Sequence, residues 1–395
     1  MTQNAVETPP GSVAEPSTGR LIGVDLARGL AVFGMYAAHV GPAPSDGGTT
    51  DFLMELAHGR ASALFAFLAG FSIILMTGRR TPKTGRAGRK AIAKVAIRAL
   101  VLLALGEALT LAGTPVEVIL AFYGLYFLLV LPLYRLQARA LGLIAAGTAL
   151  VLPQLLYVIQ RSLETGALDD SIWTWPTNAD GLTSLLFTGS YPALSWLPFV
   201  IAGMAVARLD LASHLVRIRL AVTGAALAVV GYGGSWLALH AIPGVASALG
   251  DSGWGGGSVM SAWWSDVAGY PSGDTAAWLL AASPHSETTL SIVGNTGVAL
   301  LVLIGCLGAT DAWLGFRRVA KPVIAVGTMS LTAYVFHIVG ISLLGIEELP
   351  GSPLHVLIGF IVSVTVFATL WAHFFRRGPL EWCLARITKI AELVR

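Results

Sequence analysis

The sequence predicts an all-α polytopic integral membrane bundle of about ten transmembrane helices, with both termini inside. Three observations predict it. Only 12% of the 395 residues are charged while 55% are hydrophobic, against about 25% charged in an ordinary soluble protein. Mean hydropathy is +0.73. Ten segments reach the roughly 20 apolar residues that a bilayer core of about 30 Å demands. This composition excludes a soluble enzyme, a disordered chain, a fibre and a coiled coil. No nucleic-acid partner is expected.

In order, the spans lie at about 21–41, 53–77, 92–112, 116–134, 140–160, 190–207, 218–240, 288–309, 322–346 and 354–375. Gly and Pro inside several of them are tolerated in membrane helices. Orientation follows from Lys and Arg in the connections. Arg79, Arg80, Lys83, Arg86, Arg89, Lys90 and Lys94 follow the second span. Arg135 and Arg139, then Arg208, Arg217 and Arg219, then Arg317, Arg318 and Lys321 follow later even-numbered spans. Arg376, Arg377, Arg386, Lys389 and Arg395 end the chain. With Arg20, 21 of the 25 basic residues share one face, beside six acidic ones; the other face holds Arg161 and fourteen acidic residues. The net charge of +3 therefore conceals a polarised molecule. Residues 1–19 read as a disordered cytoplasmic tail, 20–378 as the transmembrane domain and 379–395 as a cytoplasmic tail.

The first span, LIGVDLARGLAVFGMYAAHV, carries Asp25, Arg28, Tyr36 and His39. At about 100° per residue these four fall within roughly 80° of one another. They make a polar stripe, with an Asp25–Arg28 pair at i, i+3 near the inner end and His39 near the outer end. Ionisable groups inside a bilayer are costly and usually functional, so the stripe reads as a substrate path or as a packing device with an internal ion pair. The second span opens with His58 and Arg60; Arg60 either snorkels or polarises a bound carbonyl. In the third span Arg98 lies toward the inner face, and the deeper Glu107 reads as a structural residue paired within the bundle.

The eighth span starts with SPHSETTLSIVGNTG. Thr288, Ser291 and Asn295 share a face with His285 and Glu287 just outside, as interhelical polar glue or as the wall of an outer site. In the ninth span Ser330, Tyr334 and His337 repeat at i, i+4, i+7, with His337 past mid-depth. Eight of the 11 Trp fall at the outer side (173, 175, 196, 236, 254, 263, 264, 278), more than an interfacial belt on both faces explains. Residues 275–282 suit a half-helix dipping into the bilayer. Cys306 and Cys383 exclude a disulfide scaffold and a thiolate zinc site, and no metal is predicted.

These blocks resemble a known family. GRLIGVDLARGLAVFGMYAAHVGP with GRASALFAFLAGFSI resembles the opening of bacterial membrane proteins related to heparan-α-glucosaminide N-acetyltransferase, within the transmembrane acyltransferase superfamily. SYPALSWLPFVIAGMAVARLDL, SPHSETTLSIVGNTGVAL and SLTAYVFHIV…RRGPLEW resemble later blocks of the same proteins. The resemblance implies transfer of an acyl group, commonly acetyl, from cytoplasmic acyl-CoA to a glycan or glycolipid acceptor across a bacterial plasma membrane. It also implies a key histidine near the outer part of the early helices. By position that role falls on His39, with His58 competing, and Arg60 matches an arginine used near the acyl group.

The expected site is thus His39, Arg60 and His58 as catalytic groups, with Asp25, Arg28, Tyr36, His285, Asn295, Tyr334 and His337 lining the path. His39 would act as general base or transient acyl carrier, and Arg60 or Asn295 would stabilise the oxyanion. Acyl-CoA, in its acetyl form by the family's pattern, is the expected co-substrate; membrane lipids and the acceptor are the expected partners, and the sequence is compatible with a homodimer. The competing reading is a transporter or flippase for a lipid-linked sugar or small anion. It shares the stripe and the outer aromatics but needs no donor. A scaffold protein would tolerate apolar residues at Asp25, His39 and His337.

Overall fold

The computed structural model describes residues 21–43, 48–168, 181–252, 258–265, 275–347 and 349–394. The expectations for residues 1–19, Arg20, Trp173, Trp175 and Trp254 lie outside them. The described residues form helices without strands, and each of the ten apolar segments is helical.

The elements are α1 (Ile22–Val40), α2 (Thr49–Ala57), α3 (Arg60–Thr77), α4 (Gly85–Leu111), α5 (Ile119–Val130), α6 (Ala138–Glu164), α7 (Gly181–Thr183), α8 (Ala193–Ala207), α9 (His214–Ala228), α10 (Gly234–Ala241), α11 (Val245–Asp251), α12 (Thr289–Ala312), α13 (Leu314–Val319), α14 (Lys321–Thr328), α15 (Ser330–Leu344), α16 (Leu354–Phe374) and α17 (Pro379–Ile387).

Among these, five helical stretches are long and apolar enough to cross a bilayer: Phe52–Thr77, Ala138–Glu164, His214–Ala241, Thr289–Ala312 and Leu354–Phe374. Two bent pairs raise this to seven if each is one span: Gly181–Thr188 with α8, bent by 64°, and α14 with α15, bent by 86°. The remaining three expected spans fall short for local reasons. Asp25, Arg28 and His39 dilute α1, basic residues fill the first half of α4, and α5 has 12 residues. The expected half-helix over 275–282 is a single 3₁₀ turn, Ala276–Leu280, with Trp278 buried.

The layers follow from side-chain pattern. α6, α9 with α10, and α16 expose apolar rows such as Leu150, Leu155 and Val158, or Ile358, Val362, Val366 and Leu370. Apolar surface directed outward on a helix that is apolar all round marks a lipid-facing perimeter. α1, α3, α5, α8 and α12 form the buried interior.

Helices inside the bundle touch through glycine. A Cβ on Gly70 would strike the Val200 carbonyl of α8, and one on Gly203 would strike the Phe67 carbonyl of α3. α1 and α14 meet the same way, with Gly29 against the Val323 carbonyl and Gly327 against the Asp25 carbonyl. Small residues let backbones approach where no hydrophobic force drives association.

The break between α14 and α15 has an identifiable cap. Glu381 of α17 accepts the N–H groups of Leu331 (2.8 Å) and Thr332 (3.2 Å) and the Thr332 hydroxyl (2.6 Å). A carboxylate satisfies the orphan donors of a helix N-terminus and complements its dipole, which stabilises a helix restart inside the bundle.

Candidate functional site

Two cavities lie at opposite ends of the α1 stripe. The first, of about 480 Å³, is lined by His39 from α1, His58 before α3, Glu117 before α5, Tyr157 and Gln160 of α6, Tyr191, Trp278, His285 and Glu287. Connections expected on the acidic face thus converge on one chamber. It presents three imidazoles and two carboxyls, with neither Lys nor Arg among its lining residues. No group of three or more His, Cys, Asp or Glu able to hold a metal occurs among the described residues.

The segment that brings His285 and Glu287 into this chamber is bent sharply. Both residues have left-handed φ, 55° and 59°, a region uncommon for non-glycine residues. Gly59, itself at φ +63°, sits against Pro284, where an added Cβ would lie 3.0 Å from the proline ring. The glycine therefore lets the His58 corner and the His285 segment close on each other. Tyr191 and Trp196 pack on the His285 ring, at 5.4 and 5.9 Å between centroids. The Trp196 indole N–H donates to Glu287 at 3.4 Å. Burial pushes the Glu287 carboxyl well above its ordinary range, and donors including Trp196 pull the other way.

His39 is held from behind. Its Nδ1 and His337 Nε2 share a hydrogen bond of 2.9 Å, with the rings stacked at 5.2 Å. His337 is fully buried. It is wedged between Tyr36, at 4.6 Å, and Tyr334, at 5.0 Å. Tyr36 donates to the Ala333 carbonyl at 2.6 Å, and Tyr334 accepts from the Ile119 N–H at 3.1 Å. With Nδ1 occupied, His39 has its other ring nitrogen for the chamber.

The second cavity, of about 610 Å³, lies at the basic end. Arg28, Lys83, Lys94, Arg98, Arg376 and Arg377 line it, with Glu381 as its one acidic lining residue. Arg28 bridges Asp25, at 3.1 Å, and the Ser72 hydroxyl of α3, at 2.7 Å. Arg28 to His39 spans 11 residues, or about 16 Å of helix, so α1 connects the two cavities.

A thin partition separates them. Ser62 lines the first cavity and Phe65 the second, three residues or about 4.5 Å apart along α3. Phe65 stacks on Tyr123 at 5.5 Å and 18°. The Tyr123 hydroxyl donates to the Ser62 carbonyl at 3.4 Å.

Of the expected site residues, His39, His58 and His285 share the first cavity, and Arg28 lines the second. Tyr36, Tyr334 and His337 form the backing of His39. Asp25 stays with Arg28. Arg60 and Asn295 do not line either cavity and belong to a buried network, with Asn295 in a small cleft that also holds His285 and Glu287. Arg60 donates to the carbonyls of Glu55 (2.8 Å) and Trp264 (2.6 Å) and to the Tyr232 hydroxyl (3.1 Å). Tyr232 donates to Asn295 (2.7 Å), and Asn295 donates to Ser291 (3.2 Å). This network ties α3, the turn before α10 and α12 together. Glu117, Tyr191, Phe65, Tyr123, Arg376, Arg377 and Glu381 were not singled out from the sequence as site residues. Phe65, Tyr191, Arg376, Arg377 and Glu381 fall within the blocks that carry the family resemblance, whereas Glu117 and Tyr123 have only their position in or beside a predicted span.

Two family models match the chain. One is described as Heparan-alpha-glucosaminide N-acetyltransferase, catalytic, and covers residues 20–237. The other is described as a protein of unknown function, DUF418, and covers residues 257–391. No curated protein matches. His39 and His58 fall within the first match, His285, Glu287 and His337 within the second, so the first cavity draws on both.

Proposed function

The chain belongs to the Heparan-alpha-glucosaminide N-acetyltransferase catalytic family, and from that premise we propose that it moves an acyl group, acetyl in the first instance, from acyl-CoA at the basic face to a glycan or glycolipid acceptor in the first cavity. The observation that carries this reading is the pairing of a six-cation cavity and a histidine chamber at the two ends of one polar stripe. Phosphates of CoA suit Arg28, Arg98, Arg376 and Arg377, because guanidinium groups meet phosphate oxygens bidentately, with the Lys94 ammonium as an added point charge. The thioester arm then runs along α1 and past Phe65 and Tyr123 toward His39.

At His39 the free ring nitrogen takes the proton of the acceptor hydroxyl or amine as its heteroatom attacks the thioester carbonyl. The C–S bond breaks, the new C–O or C–N bond forms, and the proton passes to the departing thiolate, giving free CoA. If His39 instead carries the acyl group transiently, the same bonds exchange in two steps. His337 fixes the tautomer and direction of His39, as a base is oriented by its partner. Aromatic faces at Tyr157, Tyr191 and Trp278 suit a sugar ring. In this reading the basic face is cytoplasmic, both termini lie on it, and the membrane is a bacterial plasma membrane.

The test is transfer of labelled acetyl from acetyl-CoA by protein in nanodiscs, over a panel of glycan and glycolipid acceptors. Wild type should transfer label and His39→Ala should not, with donor binding retained. Undiminished transfer by His39→Ala would remove His39 from the mechanism.

A second reading, a transporter or flippase, draws on the two sharply bent helix pairs. Broken helices at mid-depth occur in alternating-access proteins. Uptake or flipping in proteoliposomes without any CoA binding would favour it.

A further inference from the structure

A third cavity, of about 420 Å³, opens at the basic end between the start of α1 and the α13–α14 corner. Arg317, Arg318 and Lys321 line it together with the apolar Ile22, Leu314 and Ile324. Asp25 also lines it, with its charge matched by Arg28 at 3.1 Å.

Three other cations on this face are paired within the protein. Arg80 pairs with Asp210, Lys94 with Glu392 and Arg217 with Asp311. Among the described residues no acidic side chain pairs with Arg317, Arg318 or Lys321. Three cations within five residues thus line one groove whose one acidic lining residue, Asp25, is already paired with Arg28.

The surroundings are apolar and turned outward. Trp313, Leu314 and Val319 are 65, 70 and 79% exposed, where α12 leaves the bundle and α13 begins. Tryptophan and basic residues together at a helix end mark the headgroup level of a bilayer. A soluble phosphate would use the cations alone and leave the apolar lining wet. A lipid uses both, with the headgroup phosphate on the cations and the chains along Leu314 and Ile324.

We propose that this groove binds the headgroup of an anionic phospholipid, one molecule per chain, and so clamps α13 and α14 onto α1. The site stands independently of acyl transfer. It neighbours the basic cavity through Thr328, which lines both.

The experiment is native mass spectrometry of the full chain released from nanodiscs containing equal phosphatidylglycerol and phosphatidylcholine. Wild type should retain one phosphatidylglycerol in preference. Arg317→Gln/Arg318→Gln/Lys321→Gln should lose that preference by about tenfold to a hundredfold. The control Arg139→Gln/Arg219→Gln/Lys389→Gln removes three charges from the same face and should keep it. Should the triple variant not fold, Arg317→Gln and Lys321→Gln singly should each lose part of the preference.

Equal loss in the control would overturn the proposal, because the attraction would then belong to the whole face. Displacement of the lipid by inorganic phosphate or glycerol phosphate at millimolar concentration would reassign the groove to a soluble anion. Displacement by acetyl-CoA would make it part of the donor cavity. Each of those results contradicts a lipid site, and indifference to all three supports it.

Discussion

His39 and His337, nearly 300 positions apart in sequence, share a single hydrogen bond of 2.9 Å between Nδ1 and Nε2. One imidazole faces a chamber of about 480 Å³, and the other is fully buried among Tyr36 and Tyr334. A buried ring hydrogen-bonded to one nitrogen of an accessible ring restrains the direction of that ring.

Replacing the two histidines should therefore have unequal effects. His39→Ala should lower kcat by about 10²- to 10⁴-fold, the usual worth of a positioned acid–base group. His337→Gln should lower kcat less and leave the KM for acyl-CoA unchanged. Steady-state transfer kinetics check this, and a larger effect from His337 would reverse their roles.

The basic cavity predicts a different kinetic signature. Arg98→Gln or Arg377→Gln removes a cation from the donor end, and a hydrogen bond to a charged group is worth roughly 1.5–3 kcal/mol. The KM for acyl-CoA should rise about tenfold to a hundredfold at nearly constant kcat. A fall in kcat alone would place these arginines outside donor binding.

Phe65 and Tyr123 should govern which acyl groups pass. Phe65→Ala removes a ring between the cavities, so transfer of longer acyl groups should improve relative to acetyl. Competition between acetyl-CoA and a longer-chain CoA reads this directly, and an unchanged ratio would mean the arm takes another route.

Glu287 predicts a pH dependence of stability. Its carboxyl lies outside α12, and burial raises it well above the ordinary 4.5. Between 4.5 and that raised value the unfolded chain has released the proton and the folded one has not. Stability from this group is complete below 4.5 and is lost as pH rises, by at most about 1.4 kcal/mol per pH unit. Thermal unfolding of wild type should weaken with rising pH relative to Glu287→Gln, and parallel curves would contradict the burial.

The α1–α14 contact predicts a structural cost. Gly327→Ala places a methyl group into the Asp25 carbonyl, and overpacking of this kind costs about 1–3 kcal/mol. The melting temperature should fall, whereas Gly359→Ala, at an open position of α16, should not lower it, because alanine is the better helix former.

Much of this was legible in the sequence because it is local. The stripe on α1 follows from helical spacing alone, and the ten apolar segments are helices because apolarity and length act within each one. His39, His58 and His285 were identified by being ionisable near a span end. Their meeting in one chamber depends on Gly59 and on the left-handed turns at His285 and Glu287, which no pattern announces.

Arg60 and Asn295 carried the same sequence signal as His39. The Arg60 guanidinium is engaged by Trp264 and Tyr232, 204 and 172 positions away, and Asn295 accepts from Tyr232, 63 positions away, so non-local packing ties both into the frame. Arg376 and Arg377 read as ordinary flanking cations until α17 brings Glu381 to the α15 break and the tail closes the basic cavity.

The most direct measurement is the structure of the protein with acetyl-CoA bound. The account predicts phosphates within hydrogen-bond distance of Arg98, Arg376 or Arg377, and the thioester carbon beyond Phe65, within reach of His39. Acetyl-CoA bound instead in the chamber of His58 and Glu287, with the basic cavity empty, would contradict it.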